Sequence, residues 1–369
     1  MKSMKEQISP TMLMFAIVCF IQAATSLSAF VVSVLKQEAW ICVVLGYLIS
    51  LPVIWVYLKL AELYPQKTLI EINDSVFGKK FGKLFSLFYL WFFFSLVFLN
   101  VTTISAFVVN YVLPETPLMA IVLMFVFVCV YSVRKGVETV TRYGSLFVVV
   151  VVIYVGINST LLVQHMKLSN FLPLFVSPVI KYVQASHTMA ILPLCEIMAF
   201  MMLFPNVEKG KNIKKPVFLS LTFGAITFLI TISRDTAVLG ALSAYLELPS
   251  FEVLRLINIS NTLTKVEVFY IFLLIILQFF KTSVLLYSTA KSAEQIFGLS
   301  SYKVLSTVIG ALAAVFAMIA FKTQVDNNYW GRNIAAHYST FFEVILPVTT
   351  LIVAVVRRSC KGQKEVGAS

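Results

Sequence analysis

Glu196 and Lys281 each stand in the middle of a long apolar run. A charge at the centre of a membrane helix costs about 2.5–3.5 kcal/mol on insertion scales, so such a residue normally faces a cavity or a partner and has a role. The two are expected to face one central cavity, as ligand contacts or as proton carriers. The plain alternative is a mutual ion pair that only ties the helix bundle together. Arg234-Asp235 and Glu343 lie nearer the ends of their runs. The first is expected to be an interfacial pair shaping a mouth, and the second to sit at the membrane interface. Pro193 lacks a backbone donor and can break its helix, and it precedes the acid in Pro193-Leu194-Cys195-Glu196. The first apolar run carries Gln22-Ala23-Ala24-Thr25-Ser26-Leu27-Ser28 in its middle. Asn100, Thr102 and Thr103 in one run, and Gln278 and Ser283 in another, could complete a polar site, although such residues are also ordinary packing groups. The candidate binding set is Gln22, Thr25, Ser26, Asn100, Pro193, Cys195, Glu196 and Lys281.

Other chemistry finds little support. His165, His187 and His337 are far apart and form no HExxH, and the five cysteines form no CxxC pair. The pattern gives neither a metal cluster nor a nucleophile–base set, so no enzyme, metal or cofactor is expected.

The elements that must position these residues follow from composition. Of 369 residues, 59% are hydrophobic and only 12% charged, and the mean hydropathy is +0.91. A soluble globule cannot hide that much apolar surface. Cytosolic enzymes, disordered chains and disulfide-rich secreted domains are excluded, and an all-α polytopic membrane protein remains. Runs of about 20 apolar residues suffice to span a bilayer. By that rule the chain holds about ten spans, the first being an uncleaved span rather than a signal peptide. The β-branched stretch Phe147–Val155 must be helical too, because in lipid the backbone groups pair within the segment.

The net charge of +12 is distributed in short clusters between runs, which points to anionic lipid and topology control rather than nucleic acid. With the N-terminus inside, 20 of the 29 Lys and Arg fall on the cytoplasmic side and 7 on the other, with Arg234 and Lys281 inside runs. Both termini are then cytoplasmic, the tail 357–369 being short and basic. Lys59–Lys83 is expected to lie along the inner membrane face, Lys167–Ser186 to form a short outer helix, and Leu248-Pro249-Ser250 to open another. Ten spans divide into five plus five, with repeat one at about 8–165 and repeat two at about 183–357 in a single domain covering 1–369. An odd number per half inverts the halves, as in transporters whose sites form at discontinuous helices, here spans 1 and 6.

The chain also resembles the spore germination permease family, the B-subunits of nutrient germinant receptors, within the amino acid–polyamine–organocation superfamily. The resemblance rests on an ordered series of short pieces. They begin with Ile8-Ser9-Pro10, Ala39-Trp40-Ile41, Tyr64-Pro65-Gln66-Lys67-Thr68-Leu69-Ile70-Glu71 and Gly78-Lys79-Lys80-Phe81-Gly82-Lys83. They continue with Leu113-Pro114-Glu115-Thr116-Pro117, Arg134-Lys135-Gly136-Val137-Glu138 and Asn170-Phe171-Leu172-Pro173-Leu174-Phe175. Phe279-Phe280-Lys281-Thr282-Ser283 and Gln295-Ile296-Phe297-Gly298-Leu299 complete the series. Two places depart from it. Ala23-Ala24-Thr25-Ser26 stands where relatives have a Gly-Thr-Gly-like break, and Cys195 stands for a Gly. The resemblance implies a LeuT-like five-plus-five fold and residence in the spore inner membrane. It also implies assembly with A-type and C-type receptor subunits, and sensing of a small nutrient: an amino acid, or a sugar or nucleoside. A proton-coupled secondary amino-acid transporter is the alternative. In either case an amino acid would set its carboxylate against free N–H groups at a half-helix end and its ammonium against carbonyls and Glu196.

Overall fold

The computed structural model describes residues 7–256 and 266–366. Lys2, Lys5 and Lys265, counted above for topology, lie outside the described residues.

Helix boundaries follow local chemistry. Ser9 caps α1 (Pro10–Gln22), its hydroxyl accepting the Met12 N–H at 3.2 Å, and Pro10 occupies the first turn, where a missing donor costs nothing. A tight 3-10 turn, Ala23–Leu27, leads to α2 (Ser28–Leu35). Lys36 takes φ +54°, which interrupts the chain before α3 (Ala39–Leu63). A reciprocal capping box between Thr68 and Glu71 starts α4 (Leu69–Phe77), which ends at Gly78 with φ +82°. The long α5 (Lys79–Tyr111) follows, then α6 (Leu118–Lys135) and α7 (Val137–Leu162), divided by Gly136 at φ +109°. The β-branched run is helical within α7, as predicted.

The second part opens with α8 (Val179–Met189), which runs without a loop into a π-turn, Ala190–Leu194, and a 3-10 segment, Cys195–Met202. Next are α9 (Lys214–Leu239), α10 (Pro249–Arg255) with Pro249 in its first turn, and α11 (Val266–Phe297). The chain closes with α12 (Tyr302–Ile319), α13 (Gln324–Asn333), α14 (Ala335–Thr340), a second π-turn at Phe341–Ile345, and α15 (Leu346–Val366). The stretch Lys167–Ser186, expected to form a short outer helix, carries a 3-10 turn, Leu168–Phe171, and the greater part of α8. The sequence of lengths recurs: α3 to α6 have 25, 9, 33 and 18 residues, and α9 to α12 have 26, 7, 32 and 18.

Among the described residues, nine helices are long and apolar enough to cross a membrane, with Pro10–Thr25 a shorter apolar helix beside them. The sequence predicts about ten. The difference lies in the first run, where the 3-10 turn shortens one piece and α2 and α3 count together as Ser28–Leu63. The protein is thus an all-α, multi-pass membrane protein. Its central elements are α1, with Leu13, Ala16, Ile17, Cys19, Phe20 and Ile21 wholly buried, and the segment Val179–Met202, whose most apolar window is 94% buried. Around them α6, α7 and α12 turn large apolar side chains outward, as Met124, Phe127, Ile153 and Val304 do. Such faces are stable only against lipid or protein.

Residues assigned by charge to one side of the membrane meet one another. At one end Lys214 Nζ pairs with Glu62 at 2.9 Å, Arg358 donates to the Leu63 carbonyl at 2.5 Å, and Thr68 donates to Gln295 at 2.8 Å. At the other, Glu38 accepts from the Val176 N–H (3.0 Å), the Ser177 N–H (3.2 Å) and the Tyr182 hydroxyl (2.6 Å). There too the Lys167 N–H donates to the Ala237 carbonyl at 2.8 Å, and Asn328 donates to Glu247 at 2.7 Å.

Close packing at one end gives a direct prediction. A Cβ on Gly82 would lie 2.6 Å from the Asp74 Cα and 2.9 Å from the Asn73 carbonyl, both backbone atoms of α4. Gly82→Ala therefore has to push α4 off α5, an overpacking that costs about 1–3 kcal/mol. Thermal unfolding in nanodiscs should show a lowered midpoint; an unchanged midpoint rejects this packing.

Candidate functional site

At both predicted helix breaks the backbone changes pitch, but neither unwinds. At the first, Ala23 (φ −60°, ψ −22°) and Leu27 (φ −75°, ψ −10°) keep right-handed helical backbone, and the helix tightens to 3-10 geometry. At the second, Pro193 removes a donor and the chain widens into the π-turn, with the Cys195 N–H reaching back five residues to the Ala190 carbonyl. Changes of pitch free carbonyls without exposing a strand of bare peptide groups. Side chains from other helices take up those carbonyls. Gln278 Nε2 of α11 donates to the Ala23 carbonyl at 2.9 Å, and the Tyr57 hydroxyl of α3 contacts the Cys195 carbonyl at 3.2 Å. Ser288 of α11 donates to the Ala199 carbonyl at 3.2 Å. Both turns remain helical, so neither presents the unwound stretch on which the sequence reading set free N–H groups for a carboxylate.

The charged side chains do converge. Lys281 Nζ of α11 lies 2.6 Å from Glu196 Oε2 on the 3-10 segment, with side chains 3% and 5% exposed. The ammonium also stands 5.1 Å from the centre of the Phe20 ring of α1, which adds a cation–π contact. Glu196 Oε1 has no hydrogen-bond partner among the described residues, nor has Gln278 Oε1. Both side chains border a cavity of about 150 Å³, together with Ala24 beside the first turn, Leu192 in the π-turn, Asn100 of α5 and Lys281. An engineered apolar cavity of about 150 Å³ holds a benzene, so the space suits a small organic molecule. The outer part of the cavity is walled by Tyr111, Glu247, Asn328 and Trp330. There the Glu247 carboxylate accepts from Asn328 at 2.7 Å and from the Tyr111 hydroxyl at 3.3 Å, joining α5, the segment before α10, and α13.

The predicted set thus divides. Asn100, Glu196 and Lys281 border the main cavity. Asn100 Nδ2 donates within its own helix to the Leu96 carbonyl at 2.7 Å. Gln22 and Thr25 face a second, smaller space of about 30 Å³, and Gln22 Nε2 hydrogen-bonds the Thr227 hydroxyl of α9. Pro193 and Cys195 shape the backbone and are buried away from both spaces. Ser26 sits on the first turn, but its side chain lies outside the described residues. Thr102 packs, donating to the Phe98 and Ala317 carbonyls at 2.9 and 3.1 Å, whereas Thr103 borders the cavity.

Arg234 and Asp235 do form a pair, and it is buried inside the protein, at 5% and 2% exposure. The guanidinium donates twice to Asp235 Oδ1, at 2.9 and 2.7 Å, and Ser250 of α10 donates to Oδ2. Helix α10 covers the pair, which distance along the sequence could not reveal. Glu343 is likewise 0% exposed, because its π-turn sits inside the bundle against Cys195–Met202. Sequence reasoning missed the outer wall as well. The polar run Asn327-Asn328-Tyr329-Trp330-Gly331 was its available signal, an amide-rich stretch between apolar runs.

Comparison with known proteins bears on what this site serves. The family described as "Spore germination protein" matches residues 7–325. The chain is 25% identical to spore germination protein KB of Bacillus subtilis over 352 residues, 94% of each chain. It is 24% identical to spore germination protein YndE of the same organism over 336 residues, 89% of this chain and 90% of that one. Spore germination protein B2, also of Bacillus subtilis, is 26% identical over 210 residues, 54% of this chain and 55% of that one.

Proposed function

This chain belongs to the spore germination protein family, and on that premise we propose that it is a nutrient-sensing subunit of a germinant receptor, binding a small zwitterion, an amino acid, beside Lys281 and Glu196. The observation that carries this reading is the buried ion pair, 2.6 Å long, opening on a cavity of about 150 Å³. A purely structural pair fills its surroundings, whereas this one leaves Glu196 Oε1 and Gln278 Oε1 without partners beside a hollow. A zwitterion offers each ion an opposite charge: its carboxylate to Lys281 and its ammonium to Glu196 and the Gln278 amide oxygen. Binding then biases the bundle by its differential affinity for two gate arrangements. The contacts of Glu247 with Asn328 and Tyr111 form the outer latch on this reading. A-type and C-type subunits read the shift, in the spore inner membrane with both termini cytoplasmic.

The same proposal takes the chain as two inverted repeats. The recurring helix lengths support it, as does the placing of α4 and α10 at opposite ends by the charge pattern. The membrane-embedded domain is then a transporter-like scaffold used as a sensor.

Single amino acids presented to the purified chain in proteoliposomes test this reading. Saturable binding that is lost in Glu196→Gln, without gradient-driven accumulation, supports a sensor. Sustained accumulation inside the vesicles replaces the sensor with a secondary transporter, and no binding by any amino acid removes the zwitterion.

A further inference from the structure

Glu343 takes no part in the cavity, yet it is wholly buried. Among the described residues neither of its carboxyl oxygens has a hydrogen-bond partner. It stands in the π-turn Phe341–Ile345, packed between α14, α15, α5 and the 3-10 segment Cys195–Met202. The titratable groups around it are few. From α3, the Tyr57 hydroxyl meets the Glu343 backbone carbonyl at 2.6 Å, and so leaves the carboxyl itself unserved. From the 3-10 segment packed against it come Cys195, whose carbonyl shares the Tyr57 hydroxyl with that of Glu343, and Glu196, paired with Lys281 of α11. From α5, which packs against this π-turn, comes the buried Tyr89. On α14, His337 is exposed and stacks on His187 of α8 with ring centres 5.4 Å apart. No basic residue lies on α15 before Arg357.

This enclosed set therefore holds two carboxyl groups and one ammonium. The ammonium is committed to Glu196 at 2.6 Å. A second carboxylate without a donor or a cation is strongly disfavoured where water cannot reach it, and such a group keeps its proton instead. We infer that Glu343 is a proton-binding site, holding the neutral acid while Glu196 remains the carboxylate bound to Lys281. The set is then neutral: one carboxylate, one ammonium and one carboxylic acid. Any event that draws the ammonium away from Glu196 without supplying another cation leaves a second carboxyl unpaired, and Glu196 then takes up a proton from the bulk solvent. The π-turn gives this its structural setting, since single π-turns inside α-helices are frequent at functional sites. The inference does not depend on the identity of any nutrient.

Infrared spectroscopy of the purified chain in lipid at neutral pH tests it. The expected result is a carboxylic-acid carbonyl band that shifts when the protein carries 13C-labelled glutamate and is missing in Glu343→Gln. In Lys281→Met a second such band is expected, because Glu196 loses its cation; adding Glu196→Gln removes that second band. Should Glu343→Gln not fold, Glu343→Asp keeps a carboxyl, and the band must then persist but lose its sensitivity to glutamate labelling. A neutral-pH spectrum without any glutamic-acid band overturns the inference. So does a carboxylate at Glu343 whose bands respond to sodium or potassium, which makes the site a metal-cation site.

Discussion

Lys281→Met is expected to abolish ligand binding and to lower the unfolding free energy by about 3–5 kcal/mol, the cost of breaking a buried pair by removing one partner. The substitution nearly preserves the volume of the side-chain stem. It also leaves Phe20 without its cation and Glu196 without any charge partner. Part of the cost is recoverable, because Glu196 can take up a proton, so the loss should shrink as pH falls. Glu196→Gln with Lys281→Met removes both charges and should regain most of the stability without regaining binding. That separation is the decisive feature of the experiment. A double variant that is stable and still binds shows the pair to be a structural tie only. Melting in nanodiscs and equilibrium binding of amino acids provide the two readouts.

Tyr57→Phe carries the second largest expectation. The hydroxyl lies 2.6 Å from the Glu343 carbonyl and 3.2 Å from the Cys195 carbonyl, so one group on α3 joins the two irregular turns from distant parts of the chain. Tyr57 is 2% exposed, and water cannot readily replace it. Removing the hydroxyl deprives the two buried carbonyls of the one O–H proton they share, which costs about 1–3 kcal/mol. Because Cys195 precedes Glu196, the loosened turn should also shift the ion pair, and ligand affinity should fall while the cavity residues themselves are unchanged. A variant that melts like the parent shows that the turns need no tie. One that is destabilised but binds normally shows that the turns and the ion pair are not coupled.

Both expectations rest on residues that the sequence reveals unequally. Glu196 and Lys281 are conspicuous because the surrounding runs are apolar, and a lone charge in such a run calls for an opposite charge or a cavity. Pro193 marks its turn for a similar reason, since a missing donor shows in the sequence itself. Tyr57, by contrast, is one tyrosine among 15, and nothing local separates it from an interfacial anchor. Gln22 illustrates the opposite error: it lies at the right depth on the right helix, but its amide turns to Thr227 on α9. Depth along a helix can be counted from the sequence, whereas direction around the axis depends on which neighbours pack there.

The apolar composition alone determined that this is a multi-pass helical membrane protein, because lipid leaves the backbone no partner outside its own helix. The clustering of Lys and Arg divided the loops into two groups, and in the fold Glu62 meets Lys214 within one and Glu247 meets Asn328 within the other. Tertiary packing decided the rest. It covered Arg234 and Asp235 with α10, turned Glu343 into the bundle interior, and kept both irregular turns helical by giving their spare carbonyls to Gln278, Tyr57 and Ser288. Those outcomes depend on contacts between segments tens to hundreds of residues apart, which side-chain types along one run do not encode.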